Sequence, residues 1–313
     1  MKSRLQIGKN KINVNGALIG LLLICVIFSF ATPAFLKGYN IMNIARQCSI
    51  NLIVAVGMTF IILTGGIDLS VGGILALVGT IVAGLIAGGM PVALAVILGL
   101  LLGAAFGVFN GICVSYAQIP PFITTMATLS IARSIALIYS GGYPITGMPK
   151  SFTFLGTGSI GIFPVPVVIA VCIVIFGVFV LRKTVLGKYI YAIGGNEDAT
   201  RLSGINVNVW KLVTYGIHGI LTGIAGVVLT ARMNSGQPSA ASGIELDIIA
   251  AVVIGGTSLS GGEGGIAGTV IGTLVITVLN NGLTLMDVNP YLQGLIIGFV
   301  ILISVFIDKK KSK

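Results

Sequence analysis

The chain has 313 residues, of which 56% are hydrophobic and only 8% charged, with a mean hydropathy of +1.09. Soluble domains carry about 25% charged residues, so this composition excludes a water-soluble enzyme and indicates an integral membrane protein whose first partner is the lipid bilayer. The formal net charge of +10 is confined to the tails and one loop, which is no footprint of nucleic-acid binding.

A membrane helix needs about 20 apolar residues, and about ten such segments follow one another. The start is basic (Lys2, Arg4, Lys9, Lys11) and runs straight into apolar sequence with no persuasive cleavage site, so it is expected to stay as an anchor. The apolar segments lie near 15–35, 48–64, 69–88, 91–115, 121–140, 163–181, 211–231, 245–258, 265–281 and 291–307. Turn chemistry separates them: Pro33, Gly65-Gly66, Gly88-Gly89, Pro120-Pro121, Gly141-Gly142, Gly261-Gly262 and Pro290. The fold class expected is therefore all-α, a polytopic transmembrane helical bundle forming one domain over 1–313.

Orientation follows from Lys and Arg in the short loops. With ten spans and the N-terminus inside, the cytoplasmic face receives 13 of them: four at the N-terminus, five in the 182–211 loop and four at the C-terminus. The other face receives Lys37, Arg46, Lys150 and Arg232, and Arg133 falls within a span. This asymmetry predicts N-in/C-in.

A weak internal repeat relates GGIDLS at 65–70 to GGTSLS at 255–260. Paired interruptions in two halves of a membrane chain point to a transporter. Glycine rows at helical spacing (Gly99, Gly103, Gly107, Gly111; Gly72, Ala76, Thr80, Gly84, Gly88; Gly264, Gly268, Gly272) predict close helix packing. Cys25, Cys48, Cys113 and Cys172 lie in or beside apolar runs and read as small buried residues.

One polar island stands out, from Arg182 to Lys211. It holds five of the eighteen Lys and Arg residues and two of the eight acids. Within it, Asn196 to Gly204 has the form of a short capped helix. Asn196 is the N-cap, Glu197 and Asp198 sit at the positive end of the helix dipole, Glu197 and Arg201 are spaced i, i+4, and Gly204 fits the left-handed position past the last turn. Gly194 and Gly195 give a flexible entry. A loop of this kind is a surface offered to an aqueous partner, or a solvated connector.

Ionisable groups inside a membrane are functional or paired. Asp68, at a break near the cytoplasmic face, and Arg133 are expected either to pair or to line a pathway. Asn110, Asn280 and Asn281 lie in apolar runs and either bridge helices or meet a polar solute. His218, the only histidine, has no second histidine or carboxylate near it in sequence, which speaks against a metal site. Glu245 and Asp247 begin a span on the external side and, with Arg46, Lys150 and Arg232, form either a docking rim or a solvated one.

Three strings carry a strong resemblance: GKYIYAIGGNEDATRLSGINV (187–207), GMTFIILTGGIDLSVGGILALVGT (57–80), and ELDIIAAVVIGGTSLSGGEGGIAGTVIGTLV (245–275) with LNNGL (279–283). They closely resemble the permease subunits of ribose-type ABC importers, and the likeness runs from about Leu18 to Asp308. The resemblance implies a multi-pass permease in the bacterial plasma membrane, paired with a second copy of itself and with cytoplasmic ABC ATPases that use ATP. It also implies an extracytoplasmic sugar-binding protein that delivers a monosaccharide, and no cofactor in the chain itself. It implies that Gly195, Asn196, Glu197, Asp198, Ala199, Arg201 and Gly204 form the coupling helix that seats in the ATPase. The wider importer pattern is E-A-A-x-x-x-G; here Gly204 comes one residue late.

Leu259-Ser260-Gly261-Gly262-Glu263 resembles the signature sequence of ABC ATPases, but no phosphate-binding G-x-x-x-x-G-K-[ST] loop is present. The segment lies between two apolar runs and reads as a turn, so ATP would be hydrolysed by another polypeptide. The alternative is an ion-coupled secondary transporter or channel, which the scarcity of carboxylates and histidine within the spans disfavours. An intramembrane enzyme would need a convergent nucleophile and base, and none is present.

Overall fold

The computed structural model describes residues 14–311, in thirteen helices and four two-residue strands. The basic start, and Lys313 at the other end, lie outside the described residues.

Helices α1 (Val14–Ala31), α2 (Gly38–Leu63), α3 (Val71–Ala87), α4 (Val92–Ser115) and α5 (Pro121–Ser140) form the first half. The second half holds α7 (Val165–Lys183), α10 (Val207–Met233), α11 (Ile244–Ile254), α12 (Ile266–Leu285) and α13 (Pro290–Lys311). These ten correspond in order to the ten apolar segments of the sequence. Six of them, α2, α4, α5, α7, α10 and α12, are long and apolar enough to cross a membrane. Of the remainder, α1, α3 and α13 carry shorter apolar stretches (Gly16–Ala31, Val71–Ala87 and Pro290–Val300), and α11, with 11 residues, is too brief to span unaided.

Helix boundaries follow the local chemistry. Pro121 starts α5 and Pro166 lies in the first turn of α7, where a missing N–H costs nothing. Gly141, at φ +63°, ends α5, and Asn234, at φ +53°, ends α10, both in the left-handed region. Helix α2 begins ten residues before the predicted segment, because its polar first turns are partnered. Asn40 is buried and donates to the Phe35 carbonyl at 2.9 Å, and it exchanges reciprocal 3.0 Å amide bonds with Asn281 of α12. A hydropathy count cannot see that satisfaction.

Helix α2 is the core. Its most apolar window is 89% buried, against 22% for α4 and 28% for α5. The outer faces of α4 and α5 display Leu101, Phe109, Ile112, Ile123 and Ile138, a surface suited to hydrocarbon. Between α2 and α12 runs a ladder of polar pairs: Asn40–Asn281, Asn51–Thr277 at 3.5 Å and Thr59–Thr269 at 2.7 Å. Polar pairs of this kind hold membrane helices in register.

The glycine row of α4 packs against α10. A Cβ on Gly103 would meet the Gly219 carbonyl and the Gly223 backbone, and one on Gly107 would meet the Tyr215 carbonyl and Gly219. On α12, Gly268 and Gly272 meet Gly255 and Ala251 of the α11 end in the same way. Between the long helices lie α6 (Lys150–Thr157) and two small ribbons. Strand β1 (Ile145–Thr146) pairs antiparallel with β4 (Ser235–Gly236), and β2 (Ser159–Ile160) with β3 (Phe163–Pro164). The all-α expectation holds apart from these ribbons.

Gly107→Ala is expected to lower stability by about 1–3 kcal/mol, because the added methyl collides with backbone that cannot yield. Gly20, on α1, has open space around it, so Gly20→Ala is the matched control. Thermal unfolding of the two purified variants in detergent compares them directly.

Candidate functional site

The charged loop folds into two helices, α8 (Val185–Gly195) and α9 (Glu197–Leu202). Thr184 caps the first, its hydroxyl accepting from the Gly187 amide at 3.3 Å. Asn196 caps the second, its side-chain oxygen accepting from the Ala199 amide at 2.8 Å. Gly204 stands at φ +82° just past the last turn. The cap, the short helix and the left-handed terminator thus lie where the sequence pattern put them. Helix α8 was not anticipated; its apolar positions Ile190 and Ile193 are buried beneath it.

Glu197 holds α9 in place. It pairs with Arg201 at 3.0 Å and with Lys211 of α10 at 2.5 Å. Partial burial by itself would raise the Glu197 carboxyl. The hydrogen bond and charge of Lys211, with those of Arg201, outweigh it and hold the group below the usual carboxylate range. Thr200 turns inward and donates to the carbonyls of Ala192 and Asn196 at 2.9 and 2.8 Å. Asp198 and Ala199 face outward, and Leu202 is 89% exposed. Leu202 and Asp198 thus stand open on a short helix that Glu197 ties to α10. Beside α9 lies a cleft of about 250 Å³, bounded by Ser115, Gln118, Pro120, Glu197, Arg201 and Lys211.

The root of α9 is joined to two broken helices. Gly194 packs against the Leu63 carbonyl at the end of α2 and against Gly262 in the 255–265 break, with no room for a Cβ. The Gly262 amide donates to the Leu63 carbonyl at 2.9 Å. Gly65, Gly261 and Gly262 have φ of +80°, +84° and +75°, a backbone conformation that only glycine adopts freely. Tyr191 of α8 adds a 2.9 Å bond to the Gly264 carbonyl. The flexible entry expected of Gly194 is therefore corrected: this glycine permits close contact, while Gly195 beside it has open space. The two members of the internal repeat meet at this junction, and the 259–263 segment that resembles an ATPase signature is part of it.

Asp68, in the break after α2, is 1% exposed and serves the backbone. It accepts from both the amide and the hydroxyl of Ser70. Asn110 of α4 donates to Ser70 at 2.9 Å and to Asp68 at 3.5 Å, and accepts from Thr128 of α5 at 2.6 Å. His218 of α10 completes the group, 3.8 Å from Asp68. Gly57 leaves the space that the imidazole fills.

The expected pairing of Asp68 with Arg133 is corrected. Arg133 instead gathers three carbonyls: Pro238 at 2.8 Å, Ala240 at 2.6 Å and Gly72 at 3.1 Å. The carboxylate near it is Glu245, which shares the space around Gly72. Glu245 and Asp247 are half-buried rather than a solvated rim. Asp247 accepts from Asn280 at 3.1 Å, and Arg232 donates to Asn43 at 2.8 Å. The five polar residues singled out within the spans thus fall into four places. Only Asp68 and Asn110 meet. No group of three or more metal-ligating side chains occurs among the described residues.

The contacts missed in sequence share a property. Asp68 with His218, Arg133 with the 238–240 carbonyls, and Gly194 with Leu63 join residues more than 100 positions apart. The one available signal was the repeat of GGIDLS at 65–70 in GGTSLS at 255–260, whose breaks meet where Gly65 lies against Ser260 and Gly261.

Gly194→Ala is expected to loosen the junction and lower the unfolding temperature, whereas Gly195→Ala is tolerated; parallel melts decide. For Glu197 the folded pKa lies below the unfolded value of about 4.3. Its contribution is therefore present above that value and lost as pH falls through the folded one. Stability of the native chain should drop more steeply between about pH 5 and pH 3 than that of Glu197→Gln.

Comparison with known proteins completes the picture. A family model described as branched-chain amino acid transport system / permease component matches residues 40–305. The ribose import permease protein of Bacillus subtilis (strain 168) is 46% identical over 299 residues, 95% of this chain and 93% of that protein. The protein of the same name from Haemophilus influenzae is 44% identical over 310 residues, 98% of this chain and 96% of that one. The one from Escherichia coli (strain K12) is 45% identical over 300 residues, with 95% and 94% covered. No solved structure matches. With a family model spanning most of its length and such relatives aligned nearly end to end, this multi-pass membrane chain belongs to that family of transport-system permease components.

Proposed function

We propose that the chain is the membrane-spanning permease of an ATP-driven ABC importer that takes up a monosaccharide, ribose. The observation that carries this reading is the tethered helix α9, exposing Leu202 and Asp198 from the most charged loop of an otherwise apolar chain. Full-length likeness to three ribose import permeases supports the substrate. In this reading Gly195 to Gly204 form the coupling segment, 182–211 is the cytoplasmic loop of a single 1–313 domain, and ATP is hydrolysed on a separate ATPase. An extracytoplasmic binding protein hands over the sugar, and two copies of the chain enclose the pathway.

Ten spans with both termini inside agree with the way the loops sort. The 64–70 and 255–265 breaks and the 116–120 turn gather with α8 and α9. Arg46 meets the Thr157 carbonyl, Arg232 meets Asn43, and β1 pairs with β4 at the other end. In this reading the loops alternate between the two ends. Asp68, Asn110, Arg133 and Asn281, each bonded within the protein, act as bridges in this reading. Closure of the ATPases would drag the two α9 helices together, and the glycine junction would pass that displacement to both breaks.

Glu197→Lys places a cation against Arg201 and Lys211, releasing α9 from α10. Proteoliposomes holding the variant, the ATPase and the binding protein should lose ATP-dependent ribose uptake while the chain still inserts and dimerises. Undiminished uptake would sink the coupling assignment, and uptake by the native chain without any ATPase would replace the importer reading with a secondary transporter.

A further inference from the structure

At the end opposite α9, a cavity of about 270 Å³ opens between α2, the C-terminal turn of α10, the segment before α11 and α11 itself. Its size falls just below the range of about 300–1,000 Å³ occupied by small-molecule sites, so it suits one small solute. Gln47, Asn51, Arg232 and Asp247 line it. In a chain that is 8% charged, one cation and one anion on a single small cavity are a marked concentration. Ile50 and Leu229 form apolar wall.

Three of these four polar groups are steadied from behind. Asp247 accepts from Asn280 at 3.1 Å, Arg232 donates to Asn43 at 2.8 Å, and Asn51 donates to Thr277 at 3.5 Å. Such outer bonds hold planar groups in fixed orientation, which is what a selective site needs. A carboxylate accepts from two hydroxyls at once, amides both donate and accept, and a guanidinium donates through several N–H groups. One Asp and one Arg balance in charge, which disfavours an anion or a cation as ligand. The donor and acceptor mixture with an apolar wall matches a neutral polyhydroxyl ring, with hydroxyls on its rim and C–H bonds on its face.

We propose that this cavity is the entry subsite for the sugar, with Asp247 and Asn51 the residues that hold its hydroxyls. This rests on the importer reading above and deepens it. Binding there would be weak, because a conduit that held its cargo tightly would slow release.

Ser242, exposed at the cavity lip, supplies the probe. Ser242→Cys is placed in a chain whose four native cysteines are alanine, assembled with its ATPase, and labelled with a membrane-impermeant maleimide from the outer face. Excess ribose is expected to slow labelling at least about threefold, as occupancy at twice Kd requires. Alanine or inorganic phosphate at the same concentration should not slow it. Asp247→Asn should abolish the protection, and Asp247→Glu, which keeps the carboxylate, should retain part of it. The proposal is overturned if the thiol is unreactive from the outer face, if ribose gives no protection, or if both Asp247 variants protect as the parent does. ATP-driven uptake by the parent vesicles reads the importer assignment separately: uptake without protection removes the subsite alone, and absence of uptake removes the importer reading.

Discussion

The constraint on which this structure depends is that backbone N–H and C=O groups in hydrocarbon must find partners inside the protein. Continuous helices meet it automatically, and the three interruptions at 64–70, 234–243 and 255–265 do not. Named groups meet them, some within the break and some from distant elements. Asp68 takes the Ser70 amide. Arg133 takes the carbonyls of Gly72, Pro238 and Ala240. Tyr191 takes Gly264, and the Gly262 amide closes on Leu63. Arg133 is thus held by backbone carbonyls, while Asp68 and Asp247 are held mainly by neighbouring hydroxyl and amide side chains. An unpaired charge in a span would be costly, and an unpaired carbonyl would be costly too; joining the two removes both penalties.

That arrangement makes the interruptions the places where distant parts of the chain are tied. The break after α2 contacts α4, α5 and α10 through Asp68, Asn110, Thr128 and His218. The segment before α11 is held to α5 and to the start of α3 through Arg133. The 255–265 break touches α2 and α8 together at Gly194. A displacement of α8 and α9 would therefore act on both members of the repeat at once. Close glycine contacts suit such a role, because backbone against backbone leaves no rotamer to absorb the movement.

The order and type of the ten long elements were legible because hydrophobic run length and Gly-Pro punctuation are local properties. The α9 cap was legible for the same reason: Asn196, Glu197, Arg201 and Gly204 act within two turns. The upstream extension of α2 was not, since Gly38 to Gln47 is polar and becomes helical where Asn40 finds Asn281, 241 residues away. Helix α8 was hidden by Lys188 and the glycines around it. Asp68 and Arg133 do not pair, because opposite charge is not the only partner an apolar chain offers. The structure supplies carbonyls and amides instead, which outnumber charges and are set free wherever a helix breaks.

Energetics explain why so many polar contacts serve one fold. In a membrane a polar pair between helices contributes on average about 0.6 kcal/mol, so none of these bonds locks its segment. The ladder between α2 and α12 adds three such pairs along a long interface, enough to set register. Each break, by contrast, rests on a handful of bonds grouped at one point. Rows of parallel contacts resist sliding, while point contacts allow rotation about the point. A bundle built this way is stiff along its long helices and compliant at its interruptions. In the importer reading proposed above, such a division would suit alternating access, with the interruptions lying between the charged loop and the polar cavity at the far end.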